Sequence, residues 1–219
     1  MPMKLTYFNV RGLAETTRFL LALGGEEYED FRYPLEVIDM SKYEMNKEEF
    51  DKDKADGKLV TSLNKVPFLE VDGVTIPQSK AMERFLARRY NMMGSTEIEC
   101  AQIDAICESV RDFKDMYQKV RSLPVDEKEA GMKEWFTVTL VERLTLLEHQ
   151  LVGDSGFSVG NTTSLSDVVL FTFVTEFFDN KEASLNATLA SPKVRAVVDR
   201  LSSDEKVLKW ISERPKTSF

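Results

Sequence analysis

"VPFLEVDGVTIPQS", residues 66–79, sets two short alternating runs on either side of Asp72-Gly73. An Asp-Gly pair in that setting is the strongest short-range signal for a hairpin, because a tight two-residue turn needs positive φ at both central positions. Pro77 closes the second strand, since it has no N–H to give to a ladder. Ser79 then stands where a helix N-cap is expected, and "KAMERFLARRY" carries Met82, Phe85, Leu86 and Tyr90 on one helical face. The stretch predicts a ββα unit.

Upstream, "MKLTYF" (3–8) is rich in strand formers, and "LAETTRFLLALGG" (13–25) spaces Phe19, Leu20 and Leu23 as a helix that Gly24-Gly25 stops. "YEDFRYPL" (28–35) predicts a second strand, completing βαβ. Residues 36–58 mix dense charge of both signs and are expected to form a solvated helix and loop. The order βαβ, connector, ββα describes a small mixed α/β sheet with helices packed on it.

After Asn91 the strand signal stops. Between 97 and 121, Ile103, Ile106, Val110, Phe113, Tyr117 and Val120 step by three and four, which defines a long amphipathic helix. Residues 127–152 repeat the pattern with Met132, Phe136, Leu140, Leu144, Leu147 and Leu151. "DVVLFTFVTEFF" (167–178) is apolar almost all round, as a buried central helix is, and Ser164 with Asp167 at its head predicts a capping box. Two shorter helices are expected after Pro192 and Asp204. The chain thus divides near "NMMGSTEIE" (91–99) into an α/β domain over 1–90 and an all-α helical-bundle domain over 91–219.

A net charge of -8 and a pI near 4.9 would repel a phosphate backbone, and no basic stripe offsets this, so no nucleic-acid partner is expected. No apolar run approaches the roughly 20 residues a membrane span needs, and "MPMKLTYF" lacks a signal-like core, so no membrane partner is expected and the chain reads as cytoplasmic. Cys100 and Cys107 lie seven apart in a helical segment, about 10 Å along its axis, too far for a disulfide. His149 is the sole histidine and reads as a solvated residue near a helix end, so no metal is expected.

Tyr7 at a strand end, Arg11-Gly12 before a helix, Val66-Pro67 opening a hairpin, Gln78-Ser79 opening the next helix, and an all-helical second half form a combination that resembles the cytosolic glutathione transferases. Within them it most resembles the sigma class, which includes the haematopoietic prostaglandin D synthases. The similar stretches are "KLTYFNVRGLAE", "VPFLEVDGVTIPQS", "IDAICESVRDF", "VGNTTSLSD" and the closing "RPKTSF", in that order. The resemblance implies a thioredoxin-like N-terminal domain followed by a helical domain. It also implies glutathione as co-substrate, no other cofactor, and a symmetric homodimer.

A thiol with pKa near 8.5 is mostly protonated at neutral pH, whereas the thiolate is the nucleophile. The family answers this with a tyrosine whose O–H donates to the sulfur, and Tyr7 is the residue on that motif. By the same resemblance Gln78 and Ser79 hold the γ-glutamyl end at a helix N-terminus, and the Val66 backbone pairs with the cysteinyl unit before a cis peptide to Pro67. The family's Trp-x-x-x-Lys falls on Phe50 and Lys54, with phenylalanine replacing tryptophan, and its further lysine falls on Lys65. The connector is longer here than in the sigma enzymes. Asp112 matches an acidic residue that reaches the glutathione amine of the partner subunit.

The hydrophobic co-substrate site of the family would be lined by Phe8, Val10, Leu13 and faces of Arg111 and Lys114. Leu13 and Lys119 stand where the prostaglandin D synthases carry arginine and tryptophan, which favours a general transferase attacking hydrophobic electrophiles over a prostaglandin isomerase. A glutathione-dependent isomerase or peroxidase on the same site, and a crystallin-like relative without turnover, are the alternatives. A redox thioredoxin is disfavoured because the first strand-to-helix junction has no cysteine.

Overall fold

The computed structural model describes residues 2–39 and 44–217. Residues 40–43 of the connector and the last two of "RPKTSF" lie outside the described residues. By compactness the chain divides into two units, one running to Leu86 and resuming at Lys209, the other spanning Ala87–Leu208.

In the first unit β1 (Met3–Phe8), α1 (Glu15–Gly24) and β2 (Tyr28–Tyr33) form the expected βαβ. β3 (Glu36–Asp39), β4 (Glu44–Asn46) and α2 (Glu48–Ala55) follow, then β5 (Phe68–Val71), β6 (Val74–Pro77) and α3 (Ser79–Arg89). The main sheet has the order β2-β1-β5-β6, with β1 parallel to β2 and antiparallel to β5. This is the mixed four-stranded, thioredoxin-like arrangement. Asp72 and Gly73 both have positive φ, 50° and 82°, and Val71 pairs with Val74 across them, as a type I′ turn requires.

The connector corrects its expectation. Its first part is a two-stranded antiparallel sheet of β3 and β4, with an irregularity between Val37 and Asp39, and only its second part is helical. Strands of four and three residues are too short to show alternation inside a charged run. At α3 the expected cap also shifts by one. The carbonyl of Gln78 accepts from the N–H groups of Ala81 (2.9 Å) and Met82 (3.1 Å), so Gln78 stands at the cap and Ser79 is the first helical residue.

The second unit contains α4 (Glu97–Arg121), α5 (Val125–Glu134), α6 (Leu140–Glu148), α7 (Leu165–Glu176), α8 (Lys181–Ala187) and α9 (Pro192–Ser202). α10 (Glu205–Glu213) carries the chain back toward the first unit. α7 is buried from Leu165 to Thr175 and packs against α4 and α9. Its capping box is formed as expected: Ser164 Oγ accepts from Asp167 N–H (3.4 Å) and Asp167 Oδ2 accepts from Ser164 N–H (3.0 Å). The helix expected over 127–152 is instead two helices joined by a π-helical turn, Trp135–Thr139. Its apolar row explains this: Met132, Phe136 and Leu140 recur every four residues, so a regular helix would let the row drift by about 40° per step, and the wider turn absorbs that drift.

Candidate active site

Tyr7 sits near the end of β1, opposite Arg32 of β2, and is 8% exposed as a residue. Beyond the strand the chain turns through Gly12–Ala14, and the N–H of Leu13 donates to the Tyr7 hydroxyl at 3.2 Å. Because that bond uses a lone pair of the oxygen, the phenolic proton remains available to another acceptor. Burial pushes the phenol above its ordinary value; the Leu13 N–H and the charge of Arg18 oppose this without reversing it.

Gly12 makes the approach possible. It has φ +40°, and a Cβ there would lie 2.7 Å from the Tyr7 hydroxyl oxygen. Behind the turn, the fully buried Arg18 donates through Nη1 to the carbonyls of Val10 (2.8 Å) and Arg11 (3.4 Å) and to Glu15 Oε2 (3.2 Å). Arg18 also pairs with Asp30 of β2 (3.2 Å), so its charge is compensated twice while it holds the turn that presents Leu13.

A cavity of about 440 Å3 opens beside Tyr7, and Phe8, Val10, Phe50, Lys65 and Val66 share its wall. Gly12, Lys47 and Asn64 complete the part of the wall that bears on chemistry. Two lysines beside a phenol suit an anionic ligand. The Val66–Pro67 peptide is cis.

Residues 3–88 match the glutathione S-transferase N-terminal domain, and residues 114–214 match the glutathione S-transferase C-terminal domain. The chain is 35% identical to the haematopoietic prostaglandin D synthase of Gallus gallus, over 99% of this chain and 98% of that protein. It belongs to the glutathione S-transferase family. Among solved structures, the sigma-class transferase of Fasciola hepatica superposes with a TM-score of 0.77 at 28% identity, covering 100% of this chain and 99% of the other. A hookworm transferase from Necator americanus, described as monomeric, superposes at 0.80 with 27% identity and full coverage of both chains.

In this transferase the expected site residues fall into three groups. Tyr7, Phe8, Val10, Phe50, Lys65 and Val66 meet at the cavity. Leu13, Lys54, Pro67, Gln78 and Ser79 belong to the same unit but not to that wall: Leu13 is exposed, Lys54 is exposed in the last turn of α2, and Gln78, with φ +72°, and Ser79 open α3. Arg111, Asp112 and Lys114 lie on α4 of the second unit. There Arg111 pairs with Glu108 (2.8 Å), Asp112 is exposed, and the Lys114 ammonium stands 5.0 Å from the Phe177 ring centre.

Phe50 is mostly a core residue. It is 7% exposed and packs with Tyr33, Leu59 and Phe68, its ring centre 5.1 Å from that of Phe8. Sequence reasoning missed Lys47 and Asn64, and named Gly12 only as part of the Arg11-Gly12 motif. Lys47 immediately precedes α2, pairs with Asp51, and holds its ammonium 5.1 Å from the Phe50 ring centre. Asn64 has φ +56°, a conformation asparagine tolerates, and its buried Oδ1 has no hydrogen-bond partner among the described residues. The sequence carried no clear signal for it, since Leu63 before it also has positive φ, 58°, a conformation that leucine does not favour. Among the described residues no group of three or more His, Cys, Asp or Glu side chains is placed to hold a metal ion, and no described helix is long and apolar enough to cross a membrane.

Proposed function

We propose that this transferase joins the sulfur of glutathione to hydrophobic electrophiles, with Tyr7 stabilising the thiolate. The observation that carries this reading is the Tyr7 hydroxyl: buried, oriented by Leu13 N–H, and left with a proton to donate at the wall of the cavity. The thiol releases its proton to water, and the phenol donates to the resulting anion. The sulfur lone pair then forms the new C–S bond as the leaving group departs with its electron pair. Because burial raises the Tyr7 pKa, the phenol stays protonated where the thiol ionises, so the two do not compete for the negative charge.

The rest of the tripeptide finds matching groups. The Val66 backbone pairs with the cysteinyl unit, Lys65 and Lys47 take the glycyl carboxylate in place of Lys54, and the unpartnered Asn64 Oδ1 accepts a peptide N–H. The γ-glutamyl carboxylate goes to the amides at the head of α3, at Gln78 and Ser79. Phe8, Val10 and Leu13 receive the electrophile. Asp112 of the partner subunit receives the γ-glutamyl amine in a homodimer, for which light scattering at twice the 25.0 kDa chain mass is the check.

The test is retention on immobilised glutathione, followed by conjugation of chlorodinitrobenzene by wild type and Tyr7→Phe. Tyr7→Phe should keep its fold and its retention, lose roughly a hundredfold in turnover, and move the acidic limb of the pH–rate profile toward a free thiol near pH 8.5. Full activity in Tyr7→Phe would falsify the assignment. Parallel assays with an organic hydroperoxide and an endoperoxide separate conjugation from peroxidase and isomerase chemistry.

A further inference from the structure

The helical unit holds a second cavity, also about 440 Å3, which the chemistry above does not use. Its apolar wall comprises Tyr117 of α4, Met132 of α5, Phe136 of the π-helical turn and Ala183 of α8. That volume lies within the range of small-molecule sites, and the space between helices of a bundle is where such sites occur. The π-helical turn helps to shape it. By absorbing the drift of a four-residue row, it keeps Phe136 in line with Met132 on the cavity wall while Leu140 remains fully buried. Turns of this kind are rare and concentrate at functional sites.

The polar groups at the cavity narrow the ligand class. Thr137 Oγ1 donates to the Lys133 carbonyl (2.8 Å), and Asn180 Oδ1 accepts from the Ala183 N–H (3.0 Å), so both side-chain oxygens are engaged. The Asp179 carboxylate makes no hydrogen bond or ion pair among the described residues, and its charge reaches Tyr117 more strongly than that of Arg121, which opposes it. Lys133, the cation on this wall, is exposed and carries a long stem that lets its ammonium stay in water. Aromatic faces and an unpaired carboxylate both attract a cation.

We propose that this cavity binds a planar aromatic cation, with the rings against Tyr117 and Phe136 and a protonated amine at Asp179. The site is separate from the Tyr7 cavity and shares no residue with it. The chain supplies its own reporter. It has two tryptophans; the Trp135 ring centre lies 5.3 Å from that of Tyr117, whereas Trp210 belongs to the other unit.

The experiment titrates ¹⁵N-labelled protein with naphthylmethylammonium chloride and follows the two indole N–H resonances, assigned with Trp210→Phe. Methylnaphthalene and naphthoate serve as neutral and anionic analogues. The ammonium compound should shift the Trp135 resonance saturably and leave that of Trp210 in place. Asp179→Asn, at an exposed position, should weaken its binding about fivefold and leave methylnaphthalene unchanged. Ala183→Met, which fills the cavity, should abolish the Trp135 response to all three compounds. The proposal is overturned by a Trp135 signal that never saturates, by naphthoate binding as tightly as the cation, by unchanged cation affinity in Asp179→Asn, or by a response that survives Ala183→Met.

Discussion

Gly12 decides where the Tyr7 hydroxyl can lie. Gly12→Ala places a methyl 2.7 Å from that oxygen at φ +40°, so the buried ring must shift and the Leu13 N–H must lose its aim. The expected result is a drop in chlorodinitrobenzene turnover approaching that of Tyr7→Phe, with a stability cost of only about 1–2 kcal/mol from the backbone, read by urea unfolding. Tyr7 also leaves a signature in alkali. Its raised pKa means that the folded chain keeps a proton which the unfolded chain gives up near pH 10. That contribution to stability is complete below pH 10 and is lost as pH climbs through the raised value, so the stability difference between wild type and Tyr7→Phe should be flat from pH 7 to 9 and fall above pH 10. A difference that stays flat through pH 11 would contradict the burial. Tyr7, Lys65 and Val66 were legible in the sequence because a strand end and a Val-Pro step fix their register. Lys47 and Asn64 were not, because a short irregular sheet and a pair of positive-φ residues bring them to the cavity, and no periodicity records either.

At the scale of elements, the most readable feature was the head of α7. A serine three residues before an aspartate, ahead of an apolar run, carries its own mechanism, and the structure adds what spacing could not show. Asp167 also accepts from the Ser158 N–H (2.7 Å) and from Arg200 Nη2 (3.0 Å), so one buried carboxylate binds the preceding loop, the helix start and α9 together. Asp167→Ala should therefore cost far more than a cap: about 3–5 kcal/mol in urea unfolding, against about 1 kcal/mol for Ser164→Ala. Equal losses in the two variants would reduce Asp167 to a simple cap. The π-helical turn was less legible. The four-residue spacing of Met132, Phe136 and Leu140 was present in the sequence, yet it also satisfies a loose helical pattern, and only the requirement that Trp135, Phe136 and Leu140 all be buried selects the wider turn. α8, only seven residues long, is too short to show a helical period, and its one signal is the Asn180 cap that precedes it.

For the whole molecule, the informative contact joins residues about 195 positions apart. Trp210 Nε1 and Arg214 Nη1 both donate to Glu15 Oε1, at 2.9 and 2.6 Å, so the returning end of the chain completes the shell of a glutamate that is almost fully buried. No local pattern reveals this, because Trp210 alone reads as an ordinary amphipathic helix residue and Arg214 lies just beyond the end of α10. The same Glu15 accepts from Arg18 through its other oxygen, and Arg18 holds the Val10 and Arg11 carbonyls of the turn that aims Leu13 at Tyr7. Removing the chain from Lys209 onward should thus do two things. It strips Glu15 of two donors, at a cost of about 3 kcal/mol or more in thermal unfolding, and it loosens the turn, so that turnover falls along with stability. Arg214→Met, which deletes one charged donor and keeps most of the side-chain volume, should reproduce a large part of both losses. If the truncated protein kept its unfolding temperature, or lost stability while keeping full turnover at a temperature where it is folded, the returning segment would not support the Tyr7 site.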